Sequence, residues 1–286
     1  MPDLYELHER PDLDSPALLV ALEGWIDAGY AAGRAVEAIV EQSEGTHIAT
    51  FDADTLLDFR ARRPTMHLVD GINTGLTWAS IELHALRAPN GTDLLLLTGV
   101  EPDHAWHAFT DAVFELTVEL GARIQLGFGA FPAGTPHTRP VLLSATASTE
   151  ELSASLGFVR GTIDVPAGVE AVLERRFAEA GLPAAGIWAQ VPHYTATMRY
   201  PAASARLIEA LNPLAGTDFG IEPLADEIAD TRQHIDTLIE DNPEHVAMLR
   251  QLEAQADEAA ENDIGPLPSG DDLAEELQRF LREQGE

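Results

Sequence analysis

Two short apolar runs constrain this chain more than any other feature. ALLVALEG at 17–24 and DLLLLTGVEPD at 93–103 each hold an unbroken row of aliphatic side chains. They are too short to cross a bilayer and too continuous for a strand with one wet face. Such strands must be covered on both faces, as in a parallel sheet flanked by helices. The segments between and after them agree. GYAAGRAVEAIVEQ (29–42) places Ala35, Ile39 and Val40 on one side at helical spacing, and THIATFDAD (46–54) reads as a strand. MHLVDG and WASIELHALRAPNG add strand-like segments, the second closing on a turn at Asn90 and Gly91. HAWHAFTDAVFELTVELG is a helix with Gly121 as its stop, followed by the strands ARIQLGFGAFP and RPVLLSATAS. TEELSASLG and GVEAVLERRFAEAG are helical, GIWAQVPHY is the last strand, and Pro201 opens the helix PAASARLIEALNPLAG. Strands alternating with helices in this way predict an α/β architecture, a mostly parallel sheet flanked by helices.

From about residue 222 the strand signals cease and the chain becomes strongly acidic. Ile228, Ile235, Leu238 and Ile239 recur at helical spacing, NDIGPLPSG reads as a linker, and Leu273, Leu277, Phe280 and Leu281 share one face of a last helix. The expected organisation is an α/β domain over 1–221 and an acidic helical appendage over 222–286, docked on its own body or on a partner.

Composition excludes several functions. A net charge of −31 argues against nucleic acid and anionic membrane surfaces as partners. All 17 basic residues are Arg, so a phosphate-binding loop with its Lys and Schiff-base chemistry are both ruled out. Without Cys there are no disulfides, thiolate metal sites or Cys nucleophiles. No G-x-S-x-G elbow is present, and the glycines of GFGAFPAG lack dinucleotide-loop spacing, with Pro132 and Pro136 interrupting any helix there. No cofactor is expected. The opening MPDLYELHERPDLDSP has no basic region followed by an apolar core, so a cytoplasmic setting is expected.

In an open parallel sheet, ligands gather at the carboxyl ends of the strands. Four such ends carry unusual residues. EGWIDAG offers Glu23, Trp25 and Asp27; TGVEPDHAWH offers Glu101, Asp103, His104 and His107; GAFPAGTPHTRP offers His137, Thr138 and Arg139; QVPHY offers His193 and Tyr194. Asp27, Glu101, His104, His137 and His193 are candidates for general acid–base work, and Trp25, Arg139 and Tyr194 for ligand contact. Each has a plainer reading. Asp27 sits where a helix N-cap belongs, and Trp25 suits a core gap or subunit contact. His137 and Arg139 either hold an anion or tie down the carbonyls of their own loop, and His193 suits a structural role. Glu101, His104 and His107 lack the two-His i, i+4 pair of zinc helices, so no metal site is assigned.

Taken together, LLVALEGWIDAG, LLLLTGVEPDHAW, GAFPAGTPHTRPV and WAQVPHY resemble the bacterial branch of the PAC2 family, named for proteasome assembly chaperone 2. NPEHVAMLRQLE and LPSGDDLAEELQRFLRE resemble the tails of its actinobacterial members. The resemblance implies a phosphorylase/hydrolase-like α/β fold and a cytoplasmic homo-oligomer, a trimer in that branch. It also implies a non-catalytic assembly or scaffold role related to proteasome chaperones, with a protein partner at the C-terminal helices. The alternative is a small-molecule-binding protein or enzyme that uses the acid–base residues at the strand ends.

Overall fold

The computed structural model describes residues 4–24, 26–156 and 164–261. Eight strands form one sheet: β1 (Tyr5–Leu7), β2 (Ala17–Glu23), β3 (Glu44–Phe51), β6 (Ile81–Arg87), β7 (Asp93–Val100), β8 (Ile124–Ala133), β9 (Leu143–Ala147) and β10 (Ala184–Pro192). β4 (Thr65–Val69) and β5 (Ile72–Thr77) form a separate antiparallel hairpin. The helices are α1 (Ala31–Glu41), α2 (Ala53–Leu56), α3 (Trp106–Glu119), α4 (Glu150–Leu156), α5 (Val169–Glu179), α6 (Pro201–Ala215), α7 (Ala225–Glu240) and α8 (Pro243–Glu261).

The sheet order is β1-β3-β6-β7-β2-β8-β10-β9. Its centre, β7-β2-β8-β10, is parallel throughout. The two apolar runs lie side by side there, with Leu18 opposite Leu95 and Val20 opposite Leu97. Because side chains alternate across a strand, Leu19, Leu94, Leu96 and Leu126 face α1 and α6. Leu18, Val20, Leu95 and Leu97 face α3 and α5. One aliphatic row thus feeds two cores. Truncating such a side chain, for example Leu95→Ala, costs about 2–5 kcal/mol, since the transfer free energy is lost and a cavity is left.

Antiparallel strands complete the sheet on both sides. The Asn90–Gly91 turn folds β6 onto β7, β3 and β1 follow outward, and β9 pairs antiparallel with β10. The tight turn explains the β6–β7 pair, because it cannot make the crossover a parallel pair needs. Both borders are short, β1 with 3 residues and β9 with 5. Val40, expected beside Ala35 and Ile39, is instead 45% exposed: α1 packs on its alanine-rich face, and Val40 lies beyond the buried stripe.

Among the described residues, the hairpin is the one element whose apolar residues find no core. Met66, Leu68, Val69, Ile72 and Leu76 are all exposed, and so is Trp78 just after β5. The expected linker and terminal helix, with Leu273, Leu277, Phe280 and Leu281, lie outside the described residues. No helix among the described residues is long and apolar enough to cross a membrane.

Candidate functional site

The carboxyl ends of the parallel strands gather most of the polar residues singled out above, and the sheet divides them into two groups. On the α1/α6 side, Asp27 forms an isolated parallel bridge with Ala130 beyond the end of β2. Its carboxylate accepts from the amides of Ala32 and Gly33 at 2.8 and 3.0 Å, anchoring the first turn of α1. Burial raises its pKa even so, outweighing these N–H groups. Gly29 holds the same turn: its φ of +68° is left-handed, and a Cβ there would stand 2.8 Å from that of Tyr200.

The loop after β8 brings His137 into a closed relay. Its side chain is 0% exposed. The Tyr194 hydroxyl accepts from the His137 amide at 2.9 Å and lies 2.8 Å from Nδ1. Nε2 lies 2.9 Å from Oδ1 of Asp236 on α7. Since a carboxylate can only accept, Nε2 carries the proton and Nδ1 accepts from the tyrosine. Burial pushes the Tyr194 hydroxyl up to about 12, so it keeps its proton. Both imidazole nitrogens are therefore engaged within the chain.

The neighbouring residues do the same. Thr138 donates to Glu253 at 2.6 Å, and Arg139 makes a two-pronged contact with Asp257 at 2.7 Å on each prong. Arg34, buried on α1, grips Glu227 at 2.8 Å. His137 and Arg139 hold α7 and α8 through acidic partners, and Arg139 also donates to the Thr138 carbonyl of its own loop at 3.4 Å. Ile235, Ile239 and Leu252 are buried beneath that seam. His193 is exposed and meets the Tyr194 ring edge-on at 5.3 Å. Trp25 lies outside the described residues.

On the α3/α5 side the arrangement is opposite. Glu101, at the end of β7, accepts from the Val169 amide at 2.6 Å and so anchors the start of α5. Burial raises its pKa. Asp103 is held by Arg62 and the Asp58 amide, which outweigh its partial burial and lower its pKa. His104 and His107 are exposed and do not converge with Glu101.

Beside Glu101 lies a group the loops did not announce. α5 crosses β8 and β10, and its Glu170 rests on Gly127, where a Cβ would collide with its carboxyl; at Gly186 a Cβ would meet Thr146 and the Trp188 ring nitrogen instead. The Trp188 ring covers Gly129 in the same way. The residue is partly exposed, yet Glu170 Oε1 is sealed from solvent and has no hydrogen-bond partner. Burial, then the nearby Glu174 and Glu101 charges, raise the Glu170 pKa well above the ordinary carboxyl value. Glu174, also raised by burial, accepts from Thr146 at 2.6 Å. These groups line a cavity of about 460 Å³ whose other walls include Ile26, Phe131, Ala147 and Trp188. An apolar chamber with an unpartnered carboxyl oxygen at its floor can take a cationic head or exchange a proton. Its signal in the sequence is LGFGAF: two glycines on one face of a buried strand mark the close approach of something large.

A model described as the PAC2 family matches residues 21–239. Among solved structures, Mycobacterium tuberculosis Rv2714, of unknown function, is 33% identical with a TM-score of 0.88, covering 98% of this chain and 97% of its own. A PAC2 family protein from Streptomyces avermitilis is 30% identical with a TM-score of 0.73, covering 82% of this chain and 99% of its own. The proteasome-assembly chaperone homologue Rv2125 of M. tuberculosis is 29% identical with a TM-score of 0.76, over 82% and 99%. No curated protein matches the chain.

Proposed function

The chain belongs to the PAC2 family, and from that premise we propose that it is a non-catalytic, oligomeric assembly scaffold related to the proteasome chaperones. The observation that carries this reading is the β4–β5 hairpin. An isolated two-stranded ribbon is marginal in water and needs a third surface to be stable. Here Met66 and Leu76 are cross-strand partners, 53% and 45% exposed, and Val69 and Ile72 at the tip are 58% and 66% exposed. A monomer that leaves such a ribbon bare gives up apolar burial that a second copy supplies. In this reading the hairpin joins copies in a homo-oligomer, a trimer, and the outer face of the acidic α7–α8 pair meets a protein partner in the cytoplasm. The name of Rv2125 supports the proteasome as the system concerned.

Native mass spectrometry of the protein drawn gently from its own cells tests this. The expected result is a homo-oligomer with proteasome α-subunits attached, reduced to monomer by Leu68→Asp with Ile72→Asp. A wild-type monomer at micromolar concentration overturns the scaffold. An oligomer that never carries a proteasome subunit overturns the chaperone assignment.

The cavity over Glu170 favours a second reading, a small-molecule-binding protein or enzyme acting at the strand ends. Glu170 and Glu101 then take the acid–base roles, because His137 already has both nitrogens engaged.

A further inference from the structure

A separate side-chain cluster occupies the β1–β3–β6 side of the sheet. His47 on β3 and His84 on β6 are direct cross-strand partners. Glu82 precedes His84 by two residues, which puts it on the same face. Antiparallel partners hold their side chains about 5 Å apart at Cβ, near enough for two imidazoles to converge on one point. Here the two rings stack at 4.9 Å between centroids. Oε2 of Glu82 lies 3.0 Å from Nε2 of His84 and 3.9 Å from Nε2 of His47.

We propose that His47, Glu82 and His84 form a binding site for one zinc-type divalent cation. Their ligand atoms all lie within 4.8 Å of one another. Among the described residues this is the only such trio of metal-ligating side chains. A tetrahedral zinc with bonds of about 2.0–2.2 Å holds its ligand atoms about 3.3 Å apart. Small side-chain rotations reach that spacing without moving either strand. Two imidazoles and a carboxylate form a borderline donor set, which selects zinc over magnesium or calcium. The side chains are 40%, 31% and 26% exposed for His47, Glu82 and His84, so an ion reaches them from solvent. Without an ion, Nε2 of His47 rests on the Thr50 hydroxyl at 3.1 Å and the Ala49 carbonyl at 3.2 Å, contacts that it would give up to join Glu82 and His84 around a cation. His8 adds a third imidazole nearby, its ring 4.6 Å from that of His47. Its Nε2 shares the Thr50 hydroxyl with His47, at 2.9 and 3.1 Å. The bound ion would pin β3 to β6 beside the short border strand.

The test is calorimetric titration of the full chain, stripped with a chelator, using Zn²⁺ with Mg²⁺ as the comparison. One Zn²⁺ per chain is expected, with no comparable uptake of Mg²⁺. The His47→Ala/His84→Ala double variant should lose this binding, and Glu82→Gln should weaken it at least about tenfold. His104→Ala with His107→Ala should bind as the wild type does, separating this site from general uptake by an acidic surface. If the double variant does not fold, the visible spectrum of Co²⁺ bound to the wild type decides. Intense d–d bands of a four- or five-coordinate site support the proposal. A weak six-coordinate spectrum, no Zn²⁺ uptake, or uptake that survives the double substitution overturns it.

Discussion

The two flanks of the same sheet edge treat their polar groups in opposite ways. On the α1/α6 flank His137, Thr138, Arg139 and Arg34 are each matched with an acidic residue of α7 or α8. On the α3/α5 flank Oε1 of Glu170 is sealed without a hydrogen-bond partner, and Glu170 and Glu174 keep raised pKa values beside a cavity. Matched groups define a seat already filled by the chain itself. Unmatched ones define a seat shaped for something else. Two loops of similar composition therefore differ in meaning, and only the identity of their partners separates them.

The strongest way to break this contrast is to fill the cavity floor. Gly129→Val puts a side chain where the Trp188 ring lies, and urea denaturation should show a loss of about 3 kcal/mol. On the filled seat, Asp236→Ala leaves the buried Nε2–H of His137 without an acceptor. A cost of about 1–3 kcal/mol is expected in the same measurement.

Next comes pH, where Glu170 and the acidic partners of Arg34 and Arg139 have opposite slopes. Glu170 has a folded pKa above its unfolded one, so the unfolded chain releases the proton first. Stability from this group therefore falls as pH rises from the ordinary carboxyl pKa to the raised value. Glu227 and Asp257 have folded pKa values lowered by Arg34 and Arg139, so their contributions are present above the ordinary carboxyl pKa and fade as pH falls through the lowered ones. Glu170→Gln should flatten the first slope in melting curves and leave the second. 2-Phenylethylamine, an apolar body with a cationic head, should raise the melting temperature of the wild type and leave that of Glu170→Leu unchanged. The smallest effect is expected of Arg139→Gln. Its ion pairs are solvent-exposed, so the denaturation midpoint should scarcely move. Faster amide exchange confined to α8 is the readout.

How much of this was legible in the sequence depended on range. The central strands were, because burial on both faces writes itself as an unbroken aliphatic run, as in LLVAL and LLLL. The helix stop at Gly121 was legible for the same local reason. The four strand ends were also correctly seen as polar, since they follow directly from those strands. Their partners were not. His137 meets Asp236 across 99 positions and Arg139 meets Asp257 across 118, and nothing local marks which carboxylate closes on which base. Glu170 escaped because it lies on a helix face that looks solvated, where GVEAVLERRF alternates charge and apolar residues. Only the glycines beneath it give it away. The cross-strand meeting of His47 with His84 depended on register, which a bulge between His47 and Ala49 sets.

The short borders of the main sheet carry a last consequence. A long bare edge is a template on which further chains add without end. Here one border is 3 residues long and the other 5. Growth by strand addition has almost no purchase there. In the scaffold reading, copies would instead meet through the exposed β4–β5 ribbon, and a head-to-tail contact of that kind closes into a ring at three copies. On that reading the molecule would be counted in small whole numbers rather than polymerise.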